Sequence, residues 1–190
     1  SDLPWLLRSP AHTFITEAVA MFFGRLAGDE RWLREVADVP QELAGRASER
    51  LREAQLVFVR WALTVSYFER SFYANPDADL DGLWWGLVGE LQGLQRPKDW
   101  QGGDWASKVH IACYPAYYQN YILGELLASQ FNAQIQKDLN GSWINNSEVG
   151  NYFQRLFEKG RSLSWTRTVQ EQCSQELSTN DWLGQFGSGR

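Results

Sequence analysis

The sequence predicts an all-α protein, and three observations lead to that prediction. Apolar residues recur three and four positions apart in several stretches, as they do along one face of an α-helix. Prolines, glycines and asparagines lie between these stretches and mark their ends. No segment shows the sustained period-two alternation that is typical of a half-buried strand. We therefore expect a multi-helical fold, with residues 1–190 forming a single helical segment.

The order of the elements follows from their apolar spacing and their end signals. The predicted helices span residues 10–26, 30–37, 41–73, 79–94, 115–137, 148–158, 164–175 and 178–186. Ser9 and Pro10 suit the N-cap and first turn of the first helix. The third helix has apolar residues on more than one face, which predicts that it is buried. The tripeptide 145–147 suits the start of the sixth helix, and Gly160 its end.

Composition excludes some classes of function. The net charge of −5 and the pI near 5.1 argue against a nucleic-acid partner, which would require a basic surface. No apolar run approaches the roughly 20 residues needed to cross a bilayer, so no membrane span is expected. Cys113 and Cys173 are too few for a disulfide framework, and we expect both to be buried thiols.

The stretch with the most chemical potential lies past the midpoint. Lys108 and His110 are followed by a run that contains four tyrosines, including Tyr118 and Tyr121, which share a helix face because they are three residues apart. An ammonium group, an imidazole and phenols suit the binding of a carboxylate and the stabilisation of an oxyanion. A lone histidine is also a common structural residue, and aromatic stripes are often core.

Glu17 is the second candidate, because it interrupts an otherwise apolar helix. A carboxylate on a buried face is costly unless it is paired or binds a metal. One interpretation makes it a metal ligand; the other places it at the helix edge, where it pairs with Arg8 or with the N-terminal dipole. The sequence contains no His-Glu-x-x-His, Cys-x-x-Cys, Gly-x-Ser-x-Gly or P-loop motif.

Several of these segments resemble the C-terminal portion of peptidyl-dipeptidase A, the angiotensin-converting-enzyme family of zinc metallopeptidases. Leu-Leu-Arg-Ser at 6–9 and Glu-Ala-Val at 17–19 are similar to the segment that carries the third zinc ligand of that family. The likeness continues through the long helix around Trp61, through 83–85 and 108–111, and to 160–165 near the end. It thus extends over nearly the whole chain, and implies the helical gluzincin fold.

The resemblance implies a role for each candidate. Glu17 would be the third zinc ligand, and Lys108 and Tyr118 would bind the C-terminal carboxylate of a peptide substrate. His110 would hold a substrate carbonyl near the scissile bond, and Tyr121 would donate its phenol to the tetrahedral oxyanion. A zinc-activated water would attack the peptide bond. The full-length enzyme would therefore hydrolyse peptide bonds and release dipeptides.

The chain also departs from the family pattern. Met21 stands where the family has an acidic residue that supports the metal ligands, and Asn120 stands where animal enzymes have an arginine linked to chloride. Thr16 replaces a histidine that is not a ligand. The His-Glu-x-x-His helix would precede Ser1, so this fragment is expected to be inactive alone and to bind no zinc tightly.

Two alternatives to a peptidyl dipeptidase remain. The chain could come from a related oligopeptidase or carboxypeptidase, or it could be a non-catalytic helical binding or scaffold module that derives from such a peptidase. The expected partners are a peptide substrate and the N-terminal part of the same protein. A homo-oligomer could form through an exposed half-cleft. The compartment is not predicted by the sequence.

Overall fold

The computed structural model describes residues 2–187 and is all-α within that range. No strand occurs among those residues, which confirms the predicted fold class. The α-helices are α1 (Thr13–Gly24), α2 (Glu30–Glu35), α3 (Gln41–Ala74), α4 (Leu80–Gln92), α5 (Val109–Cys113), α6 (Gln119–Asp138), α7 (Ser147–Lys159), α8 (Trp165–Cys173) and α9 (Asn180–Trp182). Short 3-10 turns occupy Trp5–Leu7, Arg25–Gly28 and Asp104–Ser107, and a π-type turn occupies Leu183–Gly187.

The chain divides into two compact units, and each has its own apolar core. Unit 1 comprises Ser1–Glu53 and Leu123–Arg190, and unit 2 comprises Ala54–Ile122. The divisions therefore fall within α3 and within α6. Because the core of each unit is built from its own residues, the elements that position a side chain can be identified unit by unit.

The core of unit 1 forms where α1, α6, α7 and α8 meet. Phe14 of α1 and Phe131 of α6 are almost completely buried, and the Phe131 ring packs edge-on against Phe153 of α7 at 5.6 Å. Tyr152 of α7 donates its hydroxyl to the Gln172 carbonyl at 3.0 Å, and the Gln172 amide donates to the Tyr152 carbonyl at 2.8 Å. These reciprocal bonds satisfy polar groups that would otherwise be costly to bury.

A glycine allows α1 and α6 to approach closely. A Cβ atom at Gly124 would lie 2.9 Å from the Glu17 Cβ, 3.0 Å from the Met21 Sδ and 3.2 Å from the Ala18 nitrogen. No side chain larger than hydrogen fits between the helices at this point without displacement of one of them. Gly124 thus fixes the packing of the helix that carries Glu17.

Unit 1 also contains a buried ion pair. The Arg25 guanidinium donates to the Glu125 carboxylate, to the Glu125 carbonyl and to the Ser129 hydroxyl. Burial lowers the pKa of Arg25, and the adjacent Glu125 carboxylate opposes that shift. Its neighbours therefore hold a charged side chain in a position where only 8% of it is exposed.

The core of unit 2 is an aromatic cluster between α3, α4 and α5. Phe68 is fully buried, and Trp84 packs edge-on against Phe68 at 5.2 Å and against Trp61 at 5.6 Å. Trp105 contacts the Phe68 ring at 5.4 Å and donates its indole N–H to Asp81. Edge-to-face pairs of this kind restrain ring orientation, so the cluster is a specific framework rather than a loose apolar contact.

Several boundaries differ from the sequence prediction. The first helix is capped by His12 rather than by Ser9, because the His12 imidazole accepts the Phe14 N–H at 3.3 Å. A separate helix, α5, precedes the tyrosine-rich segment, and α6 begins at Gln119, four residues later than predicted. Ala116 causes this delay, since its φ of +53° lies outside the helical region. At the C-terminal end the predicted 178–186 helix is one short turn followed by a π-type turn.

Two burial predictions were also wrong. The α3 helix is not buried all round, because Leu43, Leu56 and Val57 are exposed. Cys113 is exposed at the C-terminal end of α5, and only Cys173 is buried. Burial raises the pKa of the Cys173 thiol to about 12, so that thiol stays protonated at neutral pH.

We expect Gly124→Ala to lower the free energy of unfolding by about 1 kcal/mol, because the overpacking cost exceeds the gain in helix propensity. Gly150→Ala in α7 is the matched control, since a Cβ there meets nothing within 4 Å. The control should raise the free energy of unfolding by up to about 1 kcal/mol. Urea unfolding followed by circular dichroism measures both, and equal stabilisation by the two substitutions would contradict the close approach.

Candidate functional site

The candidate residues of unit 2 lie on two short elements separated by a tight turn. Lys108 is the N-cap residue of α5, and His110 lies in the first turn of that helix. Tyr118 immediately precedes α6, and Tyr121 lies in its first turn. The structure therefore brings together all four unit 2 residues that the sequence singled out, through the turn at residues 114–118.

Tyr118 is the most buried member of this group. Only 5% of its surface is exposed, and its hydroxyl accepts a hydrogen bond from the Trp61 indole N–H at 2.7 Å. Burial raises the pKa of the Tyr118 phenol, and the Trp61 donor opposes that rise. The phenol is therefore neutral at physiological pH and keeps a proton that it can donate.

Lys108 lies over the same two aromatic rings. Its Nζ is 4.7 Å from the Trp61 ring centroid and 5.8 Å from the Tyr118 ring centroid. Attraction between a cation and the π face holds the ammonium group there without neutralising its charge. No carboxylate of the described residues forms an ion pair with Lys108.

His110 contacts both Tyr118 and Tyr121. Its Nε2 is 3.1 Å from the Tyr121 hydroxyl, and its ring packs edge-on against the Tyr118 ring at 5.1 Å. The buried Nδ1 of His110 has no hydrogen-bond partner among the residues described. If Nε2 donates to the Tyr121 hydroxyl, that hydroxyl can donate its own proton to a carbonyl oxygen, and Nδ1 is an acceptor.

A buried carboxylate fixes the turn that brings these groups together. Glu69 of α3 is 3% exposed, and its Oε1 accepts the Ala116 N–H at 2.9 Å and the Tyr73 hydroxyl at 3.2 Å. Ala116 has a left-handed backbone that is unfavourable for a residue with a Cβ, so this turn requires an external restraint. Glu69 provides this restraint at Ala116, which is followed directly by Tyr117 and Tyr118.

Sequence reasoning did not assign a role to Glu69 or to the indole of Trp61. A signal for Glu69 was present, because it lies four residues after Val65 and three before Phe72, on the stripe of α3 that faces the core. A carboxylate on such a stripe requires a partner. For Trp61, the signal was ambiguous, since a tryptophan in an aromatic core is commonly structural.

Glu17, the predicted zinc ligand, belongs to unit 1. It lies on α1, is half-buried, and has its Cβ beside Gly124. Within residues 2–187, no group of three or more histidine, cysteine, aspartate or glutamate side chains could hold a metal ion. The described residues therefore do not form a complete zinc site, and Glu17 could supply only one ligand of such a site.

The arrangement in unit 2 has a definite chemical capacity. It presents one uncompensated cation, a neutral phenol, an imidazole and a second phenol to the same region. The hydrogen-bond donors and the positive charge in this set suit the binding of an anion or a carbonyl oxygen. None of the four groups is an activated nucleophile. The site is suited to bind and orient a carbonyl-bearing anion.

Comparison with known proteins finds no matching family model, no matching curated protein and no matching solved structure. The resemblance to peptidyl-dipeptidase A therefore stays a prediction that derives from the sequence. Among the described residues, no helix is both long enough and apolar enough to span a membrane.

We expect Trp61→Phe to raise the phenol pKa of Tyr118 further. The substitution removes the indole N–H that stabilises the phenolate and leaves an aromatic ring in its place, so the effect of burial is no longer opposed. A pH titration of ¹³Cζ-labelled tyrosine by NMR measures the change. Trp100→Phe is the control, because the Trp100 indole donates to the exposed Asp104 carboxylate instead. A lower Tyr118 pKa in the Trp61 variant would contradict the assigned bond.

Proposed function

We propose that the chain is the C-terminal part of a zinc-dependent peptidyl dipeptidase, in which unit 2 binds the C-terminal end of a peptide. One observation carries the proposal: Lys108, His110, Tyr118 and Tyr121, the residues to which the resemblance gives roles in substrate binding and catalysis, form one contiguous cluster in unit 2. A purely structural aromatic core would not require the ammonium group.

Recognition of a carboxylate is assigned to Lys108 and Tyr118. The Lys108 ammonium is held over aromatic faces and has no anionic partner among the described residues, so an incoming carboxylate would compensate it. The Tyr118 hydroxyl already accepts from Trp61, which leaves its own proton for a carboxylate oxygen. Hydrogen bonds of this kind to a charged group are among the stronger ones in proteins.

Recognition of the peptide carbonyl is assigned to His110 and Tyr121. The two side chains are joined at 3.1 Å, and the His110 ring is restrained by the Tyr118 and Tyr121 rings on which it packs. With Nε2 as the donor in that bond, the Tyr121 phenol donates to the carbonyl oxygen and His110 holds the phenol in place. A donor that is fixed in this way loses little conformational entropy when charge develops on that oxygen. No step is assigned to a metal, because the described residues offer only Glu17 as a possible ligand in the resemblance.

A binding experiment tests the carboxylate site directly in this chain. We expect amidation of the C-terminus of a short peptide to weaken binding by roughly tenfold, because the charged partner of Lys108 is removed. Lys108→Gln should abolish the difference between the free and the amidated peptide, and Lys98→Gln, on an exposed loop, should preserve it. Calorimetric titration gives both affinities. Equal affinity for the two peptides in the unmodified chain would remove the proposed role.

A hydrolysis experiment separates a peptidase from a non-catalytic binding module. It uses a longer protein in which a His-Glu-x-x-His helix precedes Ser1, and follows the release of C-terminal dipeptides. We expect Tyr121→Phe to lower kcat by about 100-fold or more, as for the loss of one oxyanion donor, with little change in KM. Tyr67→Phe is the control, since that ring is exposed on α3. Peptide binding without release of dipeptides would favour the non-catalytic module.

A further inference from the structure

A concave site lies wholly within unit 1, and none of its residues belongs to the unit 2 cluster. Its volume is about 630 Å³, within the size range of small-molecule sites. Residues from the end of α1, the first half of α3, α6 and the C-terminal segment line it. The peptidase-like resemblance assigns no role to any of the residues that line it.

One wall of this cavity is aromatic. Phe22, Trp143 and Phe186 contribute to the lining, and each is less than 10% exposed. The Phe186 ring also lies 4.9 Å from the Arg25 guanidinium carbon, which restrains both groups. This wall suits an apolar side chain, whose burial provides the non-directional part of a binding energy.

The rest of the lining carries charges of both signs that are not compensated within the described residues. Glu30 and Glu49 have no ion-pair partner there, and neither has Arg52, which lies one turn after Glu49 on α3. The other acids are engaged: Asp29 caps α2, and Glu53 pairs with Arg50. The cavity therefore presents uncompensated acidic groups and an uncompensated guanidinium group at the same time.

A buried arginine and a more accessible one both belong to the lining. Only 8% of Arg25 is exposed, and two of its guanidinium nitrogens are engaged by Glu125, Ser129 and Gln185. Its Nε has no acceptor among the described residues, but that atom is itself buried and out of reach of a ligand in the cavity. Arg52, which is half-buried, is therefore the guanidinium group of the lining that a ligand anion can reach.

We propose that this cavity binds a small zwitterion of the amino-acid or short-peptide class with an apolar side chain. Its ammonium group pairs with Glu49 and Glu30, its carboxylate with Arg52, and its side chain packs on the aromatic wall. A ligand with only one charge would leave one sign of the lining unpaired. The proposal does not depend on the peptidase assignment, because no residue is shared with the unit 2 cluster.

Calorimetric titration with leucyl-leucine tests the proposal, with its N-acetylated and its C-amidated forms as blocked ligands. The Lys108→Gln background removes the carboxylate contact proposed for unit 2. In that background we expect each blocked ligand to bind roughly fivefold more weakly than the zwitterion, because each loses one ion pair. Sensitivity to N-acetylation distinguishes this site from the unit 2 cluster, where no group is assigned to the ligand's amino group.

Matched variants on one helix locate the binding. Glu49→Gln and Arg52→Gln should each weaken leucyl-leucine roughly fivefold, and the controls Glu42→Gln and Arg46→Gln, which lie outside the lining, should not. Should a circular dichroism spectrum show that a cavity variant is misfolded, Glu49→Ala or Arg52→Ala, which also removes the charge, replaces it. No heat of binding up to about 10 mM leucyl-leucine, or binding that the cavity variants leave unchanged, overturns the proposal.

Discussion

The hydrogen bond from the Ala116 N–H to the Glu69 carboxylate is the constraint on which the unit 2 cluster depends. A buried carboxylate is expensive in an aromatic core, and a left-handed alanine is unfavourable in any loop. Each unfavourable group is offset by the other, since the turn supplies a donor and the acid supplies a restraint. The positions of Tyr117 and Tyr118, which follow Ala116 directly, therefore depend on a contact with α3.

The aromatic residues of unit 2 form a rigid framework, and some of their rings also carry a polar group. Phe68 and Trp84 are buried edge-on, whereas Trp61 and Tyr118 also extend an N–H and a hydroxyl toward one another. A tryptophan or tyrosine has few rotatable bonds, so a polar tip on such a ring is positioned at little entropic cost. This explains how the Lys108 ammonium and the His110 imidazole can be well ordered although neither forms an ion pair within the described residues.

The sequence predicted most of the helices and the four residues of the unit 2 cluster, because periodicity and helix-end residues are local signals. It failed where a distant contact overrides a local preference. Ser9 and Pro10 satisfy the rules for a helix start, yet His12 caps the helix. Nothing local indicates that Ala116 adopts a positive φ, since Glu69 lies 47 residues earlier in the chain. Nor could the sequence predict the cavity of unit 1, which is assembled from five separate stretches of the chain.

Gly160 ends α7 with a φ of +47° and a ψ of −128°, a conformation that is accessible only to glycine at low cost. A Cβ atom there would also clash with the Leu7 carbonyl oxygen, which accepts the Arg161 N–H at 2.7 Å. Two independent reasons thus select the same residue. In an alignment of relatives, an invariant glycine at the position of Gly160 would identify proteins that join the segment before α1 to the end of α7 in the same way.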